Sequence, residues 1–302
     1  MEKISLALDW TPNINHIGFF VAREKGYYDE VGLEVEITDP SIDNYQTTPA
    51  KKVELKLADF ALCPTESIIS YRTKSAPFDL IAAAAILQED LSAIVVKRNK
   101  GIDTPKDLDG KTYSSYKARY EDGIVKAMIR NDGGSGDLKI TYPDKLGIWN
   151  TLLEDKSDAT WIFLNWEGVA AEAHKDELLF FNMRDYKIPY SYSPVIAASE
   201  SRINQRMAAY KSFMNASKKG YLYCQENPEA STEILRKHLP LSEKGIDLMK
   251  ALEISSPSFG NKDSWGKMSE AVISTFMQWI TAENLEHKSL KITEIMTNKC
   301  LE

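Results

Sequence analysis

The chain of 302 residues carries 43% apolar and 27% charged side chains, the balance of a globular protein long enough for about two domains. Its 37 Lys and Arg against 44 Asp and Glu leave a net charge of −7, which disfavours nonspecific binding to nucleic acid or to an anionic membrane, since both need a basic footprint. The most apolar run, Leu80 to Leu87, is far shorter than the roughly 18 residues of a membrane span, so no direct membrane insertion is expected.

Ile4–Leu8 reads as a first strand, stopped by the turn cluster Asp9-Trp10-Thr11-Pro12-Asn13. Phe19 to Lys25 has helical spacing and ends at Gly26. Leu33–Ile37 alternates as a strand, Thr48–Leu57 is a helix candidate, and Phe60–Leu62 is a short buried strand before a helix over 65–73. Leu80–Ile86 and Ser92–Lys97 are further strands. Thr104-Pro105 opens a helical turn that Gly110 closes. A second alternation follows, with strands at 112–115, 139–141, 159–164 and 178–182 and helices at 123–131, 148–154 and 168–174. Pro189–Pro194 breaks the pattern, Val195–Ala198 returns to a strand, and the chain is mainly helical after Ser201.

Such alternation predicts an α/β fold with mostly parallel strands. The chain is expected to form two lobes, lobe one from 1–96 plus 194–302 and lobe two from 97–193, joined by two crossings that act as a hinge. Small ligands bind at the carboxyl ends of strands in such sheets, here in the cleft between lobes.

Five strand ends carry residues suited to a ligand. Asp9 and Trp10, with Asn13 and His16, offer a carboxylate and a flat indole face. Cys63-Pro64-Thr65-Glu66-Ser67 opens a helix that Thr65 can cap, and whose N-terminus suits a polar or anionic group. No sequence-local base accompanies Cys63, so a nucleophilic role is not expected. Tyr116, Lys117, Arg119 and Glu121 lie between a strand and a helix, where the two cations suit an anion. Trp149 follows Gly147-Ile148, and Asn165-Trp166-Glu167 sets a second carboxylate beside an indole. Tyr190 and Tyr192 flank the second crossing. Each has a plain structural reading too: core packing for the indoles, a cap for Thr65, a solvated loop for Lys117 and Arg119, a helix-start charge for Glu167.

Three cysteines without a CxxC spacing and four scattered histidines indicate neither a disulfide framework nor a metal site. There is no HExxH, GxSxG or GxGxxG, which a binding protein explains more simply than an enzyme. Met1-Glu2-Lys3 runs straight into the first strand, so the chain as it stands is expected in the cytoplasm, or in the periplasm or on a lipid anchor where an export signal has been removed.

Leu8-Asp9-Trp10-Thr11-Pro12-Asn13 with His16, Ala22–Tyr28, Ala58–Ala61, Thr104–Lys111, Ile124–Lys126 and Trp265–Met268 carry a resemblance over nearly the whole chain. The sequence resembles the extracytoplasmic binding proteins for thiamine-pyrimidine precursors and the related yeast-type hydroxymethylpyrimidine phosphate synthases. The crossover and the Lys25–Tyr28 segment are shared with sulfonate and nitrate binders. The resemblance implies a two-lobed periplasmic-binding-protein fold of type II that closes on a planar ring, with Trp10 stacking and Glu167, and Asp9 less directly, meeting its amino group. Trp10 and Glu167 are expected on opposite lobes. In the synthases a lysine carries pyridoxal phosphate and a histidine four residues later is consumed. Those positions are Cys63 and Ser67 here, and no cysteine cluster follows. No Schiff base can form without the amine, so no cofactor is expected. The expected role is to bind a small heteroaromatic, for an ABC permease or within thiamine metabolism. A cytoplasmic enzyme of pyrimidine synthesis or salvage and a sulfonate- or nitrate-type binder are the alternatives.

Overall fold

The computed structural model of the chain describes residues 1–173 and 177–302. The expected helix end at His174 lies outside the described residues. Ten strands form: β1 (Glu2–Ala7), β2 (Leu33–Thr38), β3 (Phe60–Cys63), β4 (Leu80–Ala85), β5 (Ser92–Lys97), β6 (Thr112–Ser114), β7 (Lys139–Thr141), β8 (Ala159–Phe163), β9 (Leu178–Asn182) and β10 (Val195–Ser199). Between and after them run α1 (Ile17–Glu24), α2 (Pro49–Glu54), α3 (Thr65–Thr73), α4 (Glu121–Asn131), α5 (Ile148–Leu153), α6 (Val169–Ala173), α7 (Glu200–Gln205), α8 (Met207–Glu226), α9 (Pro228–Arg236), α10 (Leu248–Ser255), α11 (Glu270–Ala282) and α12 (Ile292–Ile295).

The described residues separate into two compact units: 1–90, 192–273 and 289–302 in the first, 91–191 and 274–288 in the second. Unit 1 holds a five-stranded sheet in the order β2-β1-β3-β10-β4, and unit 2 one in the order β7-β6-β8-β5-β9. Each sheet is mixed. In unit 1 β10 runs against both its neighbours, β3 and β4, while β1 is parallel to β2 and β3. In unit 2 β5 runs against β8 and β9, while β6 is parallel to β7 and β8.

These units differ from the expected lobes at 192–193, which fall in unit 1, and more substantially at two other places. β5, placed at the end of lobe one, belongs to the second sheet. An unbroken buried run such as Ala93–Val96 fits the centre of either sheet, so its pattern cannot choose. Residues 274–288 join unit 2, held by a hydrogen bond from Tyr120 Oη to Glu286 (2.7 Å) and an ion pair of Arg130 with Glu283 (2.7 Å). No sequence period reports such a tertiary bond.

Burial follows position. The strands β3, β10 and β4 are buried along their whole length, and the small side chains of Ala82–Ala85 admit helices closely. Leu33–Thr38 at the sheet edge keeps Glu34 and Glu36 exposed. Along α8 the buried residues Tyr210, Phe213, Met214, Ser217, Gly220, Tyr221 and Cys224 recur every three or four positions, a stripe that packs on α1. At the crossing a Cβ on Gly220 would overlap the carbonyl oxygen of Gly18, and one on Gly18 would overlap the ring of Tyr221. The other end of the sheet is tied by Asp59, which accepts from Ser5 N and Oγ, Arg202, Arg206 and Tyr210 Oη.

Gly220→Ala gains about 1 kcal/mol of helix propensity and loses more to the overlap, because the clashing atom is backbone. It is expected to lower unfolding free energy in urea by about 2 kcal/mol. An unchanged urea midpoint would refute the tight crossing.

Candidate functional site

The parallel strands of unit 1 end along one edge of the sheet. β1 ends into Asp9 and Trp10, β2 into Asp39, and β3 at Cys63, which pairs with Val195 at the start of β10. Asn13 caps the helical turn Ile14–His16, its side chain accepting from Asn15 N (2.9 Å) and donating to the Thr11 carbonyl (3.2 Å). His16 is fully buried. The Asn13 backbone N–H donates to its Nδ1 (3.2 Å), so the ring proton lies on Nε2, which donates to Asp9 Oδ1 (2.8 Å). His16 therefore orients the Asp9 carboxylate and does not face a ligand; Asn13 likewise holds the turn. Asp9 keeps 19% of its side chain exposed.

Beside Asp9 the Trp10 ring meets Tyr45 at 5.9 Å between centroids, tilted by 52°. The Tyr45 hydroxyl donates to the Asp9 carbonyl, and burial pushes its own pKa well above the usual tyrosine range. Asn44 and Tyr45 both have positive φ, which turns the chain back toward the strand ends. Tyr45 is a site residue that sequence reasoning missed; only the folded turn brings it to Asp9, 36 positions earlier.

Cys63 is 4% exposed, and burial drives its thiol well above the usual cysteine pKa, with Asp9 and Glu66 adding to the rise. A buried thiol held protonated is a poor nucleophile. Pro64, not Thr65, is the N-cap of α3, and no side chain caps that helix. The Thr65 hydroxyl donates instead to the Tyr192 carbonyl (2.8 Å), and Tyr192 Oη accepts from Ser269 N (3.0 Å). Tyr192 is thus a strut within unit 1. Ser67 is half-buried one turn into α3. Glu243, also missed, accepts from Thr11 Oγ1 at 3.3–3.4 Å; burial pushes its carboxyl up to about 7, against that hydrogen bond and with Asp39 adding to the rise.

Unit 2 presents a corresponding edge. The loop after β6 wraps round Glu121, whose carboxylate accepts from Tyr113 Oη (2.8 Å), Tyr116 N (3.0 Å) and Ala118 N (3.2 Å). Burial raises the Glu121 pKa. Arg119 pairs with the buried Glu286 at 2.7 Å, and exposed Lys117, at positive φ, sits over the Tyr142 ring at 5.3 Å. Lys117 and Arg119 thus do not form one anion clamp. Trp166 is buried at 3%, and Trp149 packs against the core cluster of Val95, Leu152, Ile162, Ala171 and Leu178; both serve packing. Tyr190 lies against Trp161 (5.1 Å) and Phe276 (5.3 Å). Glu167 is half-buried in a single π turn, Leu164–Gly168, and accepts from Phe163 N at 3.0 Å.

The family model described as NMT1/THI5 like matches residues 13–231. The formylaminopyrimidine-binding protein of Halalkalibacterium halodurans is 26% identical over 299 residues, covering 94% of this chain and 86% of its own. The 4-amino-5-hydroxymethyl-2-methylpyrimidine phosphate synthase of Legionella pneumophila is 22% identical over 79% of this chain and 74% of its own. Among solved structures, the ligand-binding component of an ABC-type import system from Staphylococcus aureus superposes with a TM-score of 0.74 at 12% identity, over 99% of this chain and 98% of that one. The fold is that of the periplasmic binding proteins.

The raised Glu243 pKa fixes the sign of one measurement. The folded chain holds this proton more tightly than the unfolded chain, whose carboxyl titrates near 4.5, so stability falls as pH rises from 4.5 to about 7 and stays lowered above it. Glu243→Gln is expected to raise the melting temperature at pH 8 by about 1–2 °C, small for a half-buried group, and to leave it unchanged near pH 4. A gain at pH 4 as large as at pH 8 would contradict the assignment.

Proposed function

The chain belongs to the NMT1/THI5-like family, and from that premise we propose that it binds an aminopyrimidine related to thiamine precursors, as the solute-binding component that serves an ABC permease. The observation that carries this reading is the edge of unit 1, where a carboxylate fixed by a buried neutral imidazole stands beside an aromatic pair. A planar ring stacks on Trp10 or Tyr45, and Asp9 accepts from an exocyclic amino group. The relative named for formylaminopyrimidine matches across most of both chains.

Charge separates this from the sulfonate alternative. Asp9, Asp39, Glu66 and Glu243 lie at or next to these strand ends, while Lys52 is engaged with Asp43 at 3.3 Å. Carboxylates at a binding face repel sulfonate or nitrate and welcome an amino-substituted base. The synthase reading requires an amine at Cys63. A buried thiol there does not fit attachment of pyridoxal phosphate, so no step through that group is derived. Glu167 in unit 2, a half-buried carboxylate that accepts from Phe163 N at 3.0 Å, is proposed as a further reader of the amino group.

Thermal melts with 4-amino-5-hydroxymethyl-2-methylpyrimidine, its formylamino relative, pyridoxal phosphate and an alkanesulfonate test the reading. A ligand present at a hundredfold excess over its Kd stabilises by about 2.7 kcal/mol, a shift of several degrees. The aminopyrimidines are expected to give it; a shift with the sulfonate alone refutes the proposal. Stacking is worth about 1–3 kcal/mol, so Trp10→Ala is expected to weaken aminopyrimidine binding roughly 5–150-fold by calorimetry. Glu167→Gln is expected to cost more with the aminopyrimidine than with an analogue lacking the amino group. Equal losses would remove Glu167 from the site.

A further inference from the structure

Three buried carboxylates elsewhere among the described residues each gather several donors. Asp59 accepts from five groups, Glu121 from three and Glu286 from Arg119, Tyr120 Oη and two backbone N–H groups. Glu243 is different. Among the described residues its carboxyl has one hydrogen-bond partner, the Thr11 hydroxyl, shared between its two oxygens at 3.3 and 3.4 Å. It stands on the short helical turn Leu241–Glu243, brought to the edge of unit 1 beside the residue that follows Trp10. Among the described residues no cation is paired with it. Asp39 faces it from the end of β2; Arg236 of α9 spends its guanidinium on Glu233 (3.3 Å) and the Lys244 carbonyl (3.0 Å); Asp247 caps α10 by accepting from Lys250 N.

We propose that Glu243 is a specificity-determining residue that binds the ligand as a carboxylic acid, its O–H donating to a ring nitrogen and its carbonyl accepting from the adjacent amino group. The inference rests on the aminopyrimidine reading above. An aminopyrimidine offers an acceptor nitrogen next to an N–H donor, and a protonated carboxyl offers the matching donor and acceptor side by side. A carboxylate cannot make that pair, because it has acceptors only. The half-buried setting beside Asp39 already favours the protonated form, at a pKa of about 7. Above that pH the free protein has lost the proton, so binding takes one up from solvent and weakens as pH rises, approaching tenfold per unit.

An amide has the same donor–acceptor pair as a carboxylic acid, so Glu243→Gln separates this pairing from simple acceptance by a carboxylate. Calorimetric titration with 4-amino-5-hydroxymethyl-2-methylpyrimidine, in buffers of different ionisation enthalpy between about pH 6.5 and 9, reads both affinity and proton uptake. For the wild type, uptake is expected to approach one proton per ligand at the alkaline end. Glu243→Gln should bind within about threefold of wild type at pH 7, with no uptake and a flat profile, whereas Glu243→Ala should bind roughly tenfold more weakly. A Gln variant as weak as the Ala variant, or one that keeps the wild-type pH profile, overturns the proposal. Wild-type binding that is tight and independent of pH overturns it alone; a wild type that binds no aminopyrimidine overturns the functional reading and this inference with it.

Discussion

Where α1 meets α8, the backbones approach so closely that neither Gly18 nor Gly220 has room for a Cβ. The contact lays the Tyr221 ring on Gly18 and brings its hydroxyl to the Asn15 carbonyl at 2.6 Å. Asn15 belongs to the turn whose cap is Asn13 and whose last residue is His16, and His16 aims the Asp9 carboxylate. The binding face of unit 1 is therefore supported from behind by a helix crossing that carries no charge. Burial drives the Tyr221 pKa well above the usual range, so its hydroxyl remains a donor at any pH the protein meets.

Electrostatics divides the carboxylates into two kinds. Asp59, Glu121 and Glu286 are knots, each gathering donors from several elements and each costly to remove because those donors would be left unpaired. Asp9 and Glu243 are sparsely bonded and stand at strand ends. Arg119 shows why the difference matters. As part of a basic loop it suggests an anion site, yet Glu286 takes its guanidinium. Charge seen in a loop says little about function until its partners are counted.

The strands and most helices were legible in the sequence because periodicity is local. The bounds read for α3, β5, β7 and β9 from spacing are those the fold adopts. Partnership is nonlocal, and there the reading stopped. Nothing within ten residues of Asp9 announces Tyr45, and nothing near Thr11 announces Glu243, 232 positions away. Trp149 and Trp166 show a related limit: an indole beside a strand end has the same pattern whether it faces outward or into a core, and the fold packs Trp149 against a core cluster and buries Trp166. His16 stood between these cases, since the turn cluster gave its place and only the fold gave its role.

The antiparallel strand in each sheet has a consequence for synthesis. In unit 2 all five strands come from the continuous stretch 91–191, so that sheet has every strand it needs once β9 has left the ribosome. In unit 1 the strand between β3 and β4 is β10, which emerges more than a hundred residues after β4. Until then the apolar edges of β3 and β4, rich in small side chains, have no strand to pair with. The N-terminal part of the chain is made first and completed last. The interval spent translating residues 86–194 is its period of greatest exposure to aggregation, and a chain truncated before Val195 would carry that exposure permanently.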